Sequence, residues 1–549
     1  MDLFVKILFI VLFFAATIFI GFYCRKKAQN SNDFVLGGRN VGPWLSAFAY
    51  GTSYFSAVIF IGYAGSFGLK FGVAAFWIGI GNALIGSWLA WALLGRKTRI
   101  MTQHLNSSTM PDFFAKRFKS EGLRIFAAII IFVFLIPYTA ALYNGLADLF
   151  NVAFSPAVPY WVWILIIAVA TGAYVIVGGL MSTALNSFIQ GLIMLVGLVL
   201  VVIFALQLNG GLMGSFEALS EKGWQFSSLF GSDPVHLIFV ILLTSLGCWG
   251  LPQMVGKFYS IKNENQIRKG SIISTVFAII VAGGCYFLGG FAQLFKADAG
   301  DTAIIPYIVS QLPMIIIAIV IVLVLAASMS TLSGLVHTSA STVTFDLLDR
   351  KKTMPEKKKM TWLRSLVVVF IVISAGLAIF QTLDGVPANL KKDIASLMGI
   401  SWGAISGAFI GPFFYGLYWK KTTKASVYAS FISGLVISIV GLILSLAGVT
   451  TAKITSVNSG YEICWFNFAD SIYMGVLAMA VSFIIVPIVS KFTKAPEGVE
   501  EMFKCYSQKV VVTSDIALTE EIDKEPEETE LEHNIETIET LENSSGAQE

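Results

Sequence analysis

Charged residues are scarce in this chain of 549 residues, where Asp, Glu, Lys and Arg make up 13% and hydrophobic residues 56%. Soluble globular domains carry about 25% charged residues, whereas the mean hydropathy here is +0.77. The composition excludes a soluble globular protein and predicts a polytopic membrane protein surrounded by a lipid bilayer. We expect no nucleic-acid partner.

Cysteine and histidine are also few. The cysteines are odd in number and scattered, so they predict neither a disulfide framework nor a CxxC metal site; they are Cys24, Cys248, Cys285, Cys464 and Cys505. The histidines are too dispersed for a convincing catalytic constellation at membrane depth; they are His104, His236, His337 and His533. We therefore do not expect an enzyme.

Long apolar runs, by contrast, are abundant. A bilayer-spanning helix needs roughly 20 mostly apolar residues, which predicts an all-α fold of about 13 transmembrane helices. They lie near 4–23, 43–65, 72–95, 124–149, 159–178, 186–206, 235–255, 271–295, 303–344, 364–381, 394–417, 425–447 and 470–490. The run at 303–344 is long enough to hold a short outer or re-entrant helix before its span.

The loops between these runs differ in positive charge, which marks the cytoplasmic side. The loops on one side hold 25 Lys and Arg residues, whereas those on the other side hold six. This asymmetry places the N-terminus outside and the C-terminus inside. Residues 497–549 hold 16 of the 34 acidic residues, so we expect residues 495–549 to form an acidic, disordered cytoplasmic tail.

One apolar run carries a polar stripe, in the segment LAASMSTLSGLVHTSAS from Leu325 to Ser341. Ala327, Ser330 and Thr331 stand at i, i+3 and i+4, so a carbonyl and two hydroxyls share one helix face at membrane depth. Oxygens grouped in this way suit a small, hard, desolvated cation. The alternative is that these hydroxyls bond carbonyls four residues back or hold helices together.

Two further runs are interrupted by polar residues or helix breakers. The run at 43–65 contains Gly51, Thr52, Ser53, Tyr54 and Ser56, and Leu246–Gln253 contains two glycines and a proline. Corresponding interruptions in two halves of a chain indicate an inverted-repeat transporter with its site at the bilayer midplane. A kinked but continuous helix is the alternative in each case.

Titratable groups are missing where a proton-coupled carrier would need them. No Asp, Glu, Lys or Arg lies well inside the eleven spans between 43 and 447. Because proton-coupled carriers usually depend on such a group, the sequence favours sodium as the coupling ion. His337 is the exception, and the alternative for it is a packing histidine.

Several motifs resemble the sodium:solute symporter family, nearest its sodium/proline symporter branch, between about residues 4 and 490. They are Phe34–Pro43, Gly51–Ser56, Met110–Phe118, Gly178-Gly179, Leu246–Gln253 and Ala326–Ser333. The resemblance implies a LeuT-type core of five plus five inverted helices, with one helix before it and two after it. The expected divisions are 1–42 (extra helix and first cytoplasmic loop), 43–206 (first repeat), 207–417 (second repeat), 418–494 (two C-terminal helices) and 495–549 (tail).

The same resemblance implies a sodium site. Its ligands would be the backbone carbonyls of Thr52, Phe55 and Ala327 and the hydroxyls of Ser330 and Thr331. Family members with a second sodium site have a Thr-Asp pair and two consecutive hydroxyls where this chain has Asn186-Ser187 and Ser333-Gly334. The missing acid and hydroxyl predict a single coupling sodium ion.

The resemblance also implies a small organic solute, held between the two interrupted helices and the fourth span. The residues it indicates there are Tyr54, Ser56, Ala57, Tyr138, Thr244, Trp249 and Gln253. The alternative for Tyr138 and Trp249 is that each packs in the core between helices and does not contact the solute. The chain differs from proline carriers at Tyr54, Thr244 and Leu251, where those carriers have an acid, a Trp and a Gln.

The expected function is sodium-coupled uptake of an amino acid such as proline, by alternating access across a bacterial inner membrane. The alternatives are a monocarboxylate or another solute and, from another class, a transporter-like membrane sensor. A dry pocket without Arg or Lys disfavours di- and tricarboxylates, because their charge would stay uncompensated. Sialic acid is disfavoured because the fourth span lacks the Arg that sialic-acid carriers of the family share.

Overall fold

The computed structural model describes residues 2–24, 31–154, 158–296, 304–383, 385–387, 390–449, 453–458 and 461–507. The chain divides into two units, Met1–Phe503 and Lys504–Glu549. Of the second unit, residues 504–507 are described. The predicted acidic tail beyond them lies outside the described residues.

Helices make up most of the first unit, because a helix satisfies its backbone polar groups internally where no water is present. The α-helices are Asp2–Cys24, Ser31–Leu36, Pro43–Tyr54, Ala64–Phe71, Phe76–Gly81, Arg96–His104, Met110–Phe118, Glu121–Ala153, Tyr160–Gln207, Gly211–Lys222, Trp224–Ser227, Pro234–Leu246, Pro252–Tyr259, Asn265–Ala278, Gly284–Gly289, Ile304–Ser310, Met314–Thr342, Glu356–Thr382, Ile394–Tyr418, Lys424–Leu446, Ser471–Phe492 and Val499–Lys504. Short π-helical segments continue several of them, at Val58–Tyr63, Asn82–Leu89, Trp91–Gly95, Ile279–Gly283 and Val343–Leu348. Turns of 3₁₀-helix occur at Gly37–Arg39, Gly72–Ala75, Gly247–Trp249 and Ala292–Phe295.

Ten helices within the described residues are long and apolar enough to cross a bilayer, or eleven if one pair bent by 42° counts as a single span. The difference between eleven and thirteen arises at two places. The predicted spans at 43–65 and 72–95 share the stretch Val58–His104, and the predicted spans at 159–178 and 186–206 lie in one helix, Tyr160–Gln207, of which Ser182–Gln207 counts as a span. Thirteen spans and the orientation of the termini stay predictions.

The described part of the chain also contains two strands, although the sequence predicted only helices. Lys453–Asn458 and Tyr461–Asn467 form an antiparallel hairpin in which Thr455 lies opposite Cys464. The segment alternates β-branched and aromatic residues with polar ones around an Asn-Ser-Gly sequence, which is a hairpin pattern. Hydropathy alone misses this signal because the segment is not apolar.

Three helical elements position the site and are named here. The first broken helix is Pro43–Tyr54 and Val58–Phe71, and the second broken helix is Pro234–Trp249 and Pro252–Tyr259. The hydroxyl helix is Met314–Thr342, which packs against the first broken helix, Glu121–Ala153 and Tyr160–Gln207. Its residues at 323–336 are all buried, so their hydroxyls face protein rather than lipid.

Candidate functional site

The first broken helix is interrupted in its middle. Its first half ends at Tyr54, and Phe55 adopts an extended backbone conformation, with φ −101° and ψ 127°. Beyond the break, the N–H of Ala57 donates to Ser328 Oγ at 3.1 Å, and the N–H of Ile59 donates to the Ser56 carbonyl at 3.0 Å. The carbonyls just before the break are therefore released from helical hydrogen bonding and are free to face another group.

These released carbonyls converge on one hydroxyl of the hydroxyl helix. Thr331 Oγ1 lies 3.2 Å from the carbonyl oxygen of Thr52, 3.5 Å from that of Ser53 and 3.3 Å from that of Phe55. The carbonyl oxygen of Ala327, on the same helix as Thr331, lies 3.2 Å away. A hydroxyl donates only one hydrogen bond at a time, so the cluster has a surplus of acceptor oxygens.

The spacing of these oxygens suits a cation. Oxygens that bind one hard cation at roughly 2.4 Å, at right angles to each other, are about 3.4 Å apart. The Thr331 hydroxyl lies at such distances from three carbonyl oxygens that were also predicted as sodium ligands, those of Thr52, Phe55 and Ala327. The Ser53 carbonyl was not predicted from the sequence.

Ser330, the fifth predicted ligand, makes different contacts. Its hydroxyl lies 2.7 Å from Thr52 Oγ1 and 2.7 Å from Ser187 Oγ. Thr52 Oγ1 also donates to the Phe48 carbonyl at 2.7 Å. Ser330 thus joins the hydroxyl helix to the side chain of Thr52 and to Ser187, the position at which the sequence lacks the acid of a second sodium site.

The second broken helix bends by 42° between Trp249 and Pro252. Gly250 lies against the backbone of Ser406, where an added Cβ would come within 2.8 Å of the Ser406 Cα atom. The Ser406 hydroxyl donates to the carbonyl of Gly247. The sequence break is therefore a structural break, held against the helix Ile394–Tyr418.

A group of buried polar side chains lies beside the first break. The hydroxyls of Ser56 and Tyr138 and the indole N–H of Trp402 are buried and, within the described residues, have no hydrogen-bond partner. The Tyr138 hydroxyl approaches Ser56 and Trp402 without a hydrogen bond of normal geometry. The Tyr138 and Trp402 rings meet edge to face at 5.9 Å, and the Tyr54 ring lies 6.1 Å from Trp402. Three unpartnered polar atoms beside aromatic rings suit a small organic solute.

The sequence did not indicate Trp402 as a site residue. It follows Ser401 and precedes Gly403 and Ala404, so small residues flank one large aromatic. A single large side chain among small ones in an apolar span was the available signal. The resemblance to the family indicated only the interrupted helices and the fourth span, and Trp402 lies in none of these.

The other predicted solute residues lie elsewhere or are already hydrogen-bonded. The Tyr54 hydroxyl donates to the Thr244 carbonyl, and the Thr244 hydroxyl donates to Asn82 Oδ1 at 2.9 Å. The Trp249 indole N–H donates to the Ile85 carbonyl at 3.0 Å. These contacts favour packing for Tyr54, Thr244 and Trp249.

Ala57 and Gln253 differ from those three. Ala57 is buried at the start of the second half of the first broken helix and packs close to Gly145. Gln253 is buried too, but it lines a separate cavity that also contains Lys257. Ser56, Ala57 and Tyr138 thus remain beside the first break, whereas Gln253 does not.

Known proteins resemble this chain over most of its length. The osmoregulated proline transporter OpuE of Bacillus subtilis (strain 168) is 28% identical over 448 residues, which cover 79% of this chain and 88% of that protein. A sodium/proline symporter of Staphylococcus aureus (strain JH9) is 28% identical over 504 residues, covering 89% and 92%.

A solved structure shows the same fold. It is the substrate-bound outward-open state of a Na⁺-coupled sialic acid symporter, with a TM-score of 0.70 and 19% identity, covering 90% of this chain and 98% of that one. The sequence model of the sodium:solute symporter family matches residues 34–434. The resemblance expected from the motifs is therefore confirmed, and sodium is the coupling ion. This chain belongs to the sodium:solute symporter family and is a multi-pass membrane transporter that couples solute transport to sodium.

Proposed function

We propose that this protein takes up a small amino acid, with proline as the first candidate, together with one sodium ion per cycle. The observation that carries the proposal is the convergence of four carbonyl oxygens on the Thr331 hydroxyl across the break of the first broken helix. A neutral, oxygen-rich cluster of this kind suits a hard monovalent cation. We assign no catalytic step to the chain.

The proposed sodium ligands are the carbonyls of Thr52, Phe55 and Ala327 and the hydroxyl of Thr331. Ser330 completes the set when its hydroxyl turns from Ser187 towards the ion. The stoichiometry of one rests on the Asn186-Ser187 and Ser333-Gly334 sequences, which lack the acid and the second hydroxyl of a second site.

The proposed solute pocket is formed by Ser56, Ala57, Tyr138 and Trp402, with Tyr54 packed against its aromatic side. Each of the three unpartnered polar atoms in it offers only a neutral hydrogen bond. A zwitterion fits such a pocket, because one carboxylate can be met by a half-helix N-terminus and the nearby sodium ion. The names of the proline transporters that this chain resembles make proline the first amino acid to test.

The proposed architecture is the thirteen-helix arrangement, with the N-terminus outside, the C-terminus inside and a five-plus-five inverted repeat in a bacterial inner membrane. Its divisions are those expected from the sequence, 1–42, 43–206, 207–417, 418–494 and 495–549. What supports it is the pair of breaks at residues 55–56 and 250–251, about five spans apart.

Coupling follows from the position of the ion cluster. Sodium bound between the first broken helix and the hydroxyl helix fixes the break at Phe55. The residue after Phe55 is Ser56, a residue of the solute pocket. Each ligand therefore favours the same state of the break and raises the affinity for the other.

The experiment that tests this function is thermal stabilisation of the purified protein by amino acids, monocarboxylates, sugars and vitamins, in sodium and in potassium. A ligand of the native state raises stability by RT ln(1 + [L]/Kd). We expect L-proline or another small amino acid to stabilise the protein in sodium but not in potassium. Equal shifts in both salts would contradict sodium coupling at this cluster, and a shift with another solute alone would replace proline.

A further inference from the structure

A second group of buried polar side chains lies on the half of the second broken helix that follows Gly250. Gln253 and Lys257 stand four residues apart on this half, so they share one helix face. Both line a cavity of about 60 Å³, which the hydroxyl helix borders through His337 and Ser341. The cavity therefore lies between the second broken helix and the hydroxyl helix, which carries Thr331 of the proposed sodium cluster.

Lys257 is an unusual residue in this cavity. It is 8% exposed, and in the described part of the chain no Asp or Glu lies within ion-pair distance of its ammonium group. Two other buried cations have such partners: Arg124 lies 2.8 Å from Asp112, and Lys359 lies 3.0 Å from Asp349. An unpaired buried ammonium costs several kcal/mol, so an anionic group is the ligand that this side chain favours.

Gln253 offers the opposite chemistry. It is 3% exposed, and its Oε1 atom has no hydrogen-bond donor among the described residues. A carbonyl oxygen in that position accepts from an N–H group. A cation and an acceptor one helical turn apart match the carboxylate and the amino group of a zwitterion.

We propose that Lys257 and Gln253 form an inner release site for the solute, in which the Lys257 ammonium binds the carboxylate and Gln253 Oε1 accepts from the amino group. This inference rests on the proposed function, because it takes an amino acid as the solute. In the central pocket the counter-charge of the carboxylate is the sodium ion. Once sodium leaves towards the cytoplasm, Lys257 supplies a fixed positive charge on the predicted exit path.

The chain segment before the first broken helix is bonded to the end of the second broken helix, beside the cavity. The Arg39 guanidinium donates to the carbonyls of Tyr259 at 3.2 Å and Ser107 at 2.6 Å. The N–H of Val41 donates to the Ser260 carbonyl at 3.1 Å. Because Tyr259 lines the cavity, we expect these contacts to separate when solute passes from the cavity to the predicted cytoplasmic side.

The test compares Lys257→Gln, which removes the charge, with Lys257→Arg, which keeps it. Exchange of radiolabelled L-proline is measured in inverted vesicles, which present the cytoplasmic face, and in right-side-out vesicles. We expect Lys257→Gln to raise the half-saturating proline concentration about tenfold at the cytoplasmic face, as for loss of a charged hydrogen bond, and less than twofold at the outer face. Lys257→Arg should stay close to the wild type. A change below twofold at the cytoplasmic face, or equal changes at both faces, would overturn the proposal.

A matched control and a readout independent of proline complete the test. Lys269→Gln removes an exposed cation from a nearby helix and should leave both faces unchanged. In potassium buffer without sodium, acetate should stabilise the wild type and Lys257→Arg more than chloride does, but not Lys257→Gln. If the wild type exchanges no proline, the proposed solute is wrong. The acetate measurement still tests the Lys257 site in that case. If acetate does not stabilise the wild type more than chloride does, no carboxylate binds to Lys257 and the proposal is contradicted.

Discussion

The proposed sodium cluster and the proposed solute pocket both lie at the break of the first broken helix, yet they are built from different kinds of atoms. The cluster consists mainly of backbone carbonyls around one side-chain hydroxyl, that of Thr331. The pocket consists of side-chain atoms from Ser56, Tyr138 and Trp402. If both proposed sites are right, the ion is recognised mainly by backbone carbonyls that the helix break exposes, whereas the solute is recognised by side chains.

The largest expected effect is on the sodium requirement, through the proposed sodium cluster. Thr331→Val keeps the shape of the side chain but removes the hydroxyl that four carbonyls surround. We expect the half-saturating sodium concentration for uptake to rise about 30-fold, since a hydrogen-bonding group next to a charge contributes about 1.5–3 kcal/mol. Sodium titration of solute uptake measures it.

Thr275→Val is the control for that variant. The Thr275 hydroxyl donates to the carbonyl of Ser271, in its own helix, at 2.8 Å. Its loss should leave the sodium requirement within twofold of the wild type. An unchanged sodium requirement in Thr331→Val would mean that the hydroxyl only packs, and it would contradict a sodium site at Thr331.

The next largest effect concerns the solute side. Tyr138→Phe removes one of the unpartnered hydroxyls and keeps the ring, so the KM for the solute should rise about tenfold while the sodium affinity in its absence changes little. Tyr143→Phe on the same helix removes another buried hydroxyl that lies outside the pocket, and should leave the KM unchanged. Equal effects of the two variants would contradict the pocket assignment.

A smaller effect is expected on the break itself. Ser328→Ala removes the acceptor for the N–H of Ala57, which leaves a buried donor unpaired and should lower the unfolding free energy by about 1 kcal/mol. Ser339→Ala, on the same helix, removes a buried hydroxyl without a partner within the described residues. Thermal unfolding of the two purified variants measures the difference. Equal stabilities would show that the Ser328 hydroxyl does not stabilise the backbone at the break.

The smallest effect separates two neighbouring hydroxyls. Ser330→Ala should raise the half-saturating sodium concentration only about threefold, because Ser330 bonds the hydroxyls of Thr52 and Ser187 rather than the released carbonyls. Ser333→Ala, whose hydroxyl bonds the Ser330 carbonyl of its own helix, should have no effect. A rise for Ser330→Ala as large as for Thr331→Val would make both hydroxyls equal ligands.

Most of the fold could be predicted from the sequence because each apolar run of about 20 residues has to become a helix in a bilayer. The breaks at Phe55 and Gly250 followed from polar residues, glycine and proline inside apolar runs. The hairpin at Lys453–Asn467 did not follow, because hydropathy says nothing about strands in a polar loop. Tyr160–Gln207 forms one helix where two spans were predicted, since a Gly-Gly pair weakens a helix without ending it.

The sequence indicated the sodium cluster more completely than the solute pocket for a physical reason. The stripe of Ala327, Ser330 and Thr331 follows from residue spacing within one helix, whereas the carbonyls of Thr52 and Phe55 were implied by the resemblance to the family. The pocket depends on which side chains meet across helices far apart in the sequence. Trp402 was missed and Trp249 was expected for that reason, since spacing within one helix does not show which indole N–H finds a carbonyl partner.

Sodium at the Thr331 cluster and the solute beside Ser56 are proposed to stabilise one state of the break. The most direct measurement is the sodium concentration that half-stabilises the purified wild type, with and without saturating L-proline. We predict that proline lowers this concentration at least fivefold, that sodium lowers the proline Kd by the same factor, and that the sodium Hill coefficient is close to one. A sodium affinity that does not change with proline would contradict the account, and a Hill coefficient near two would contradict its single ion.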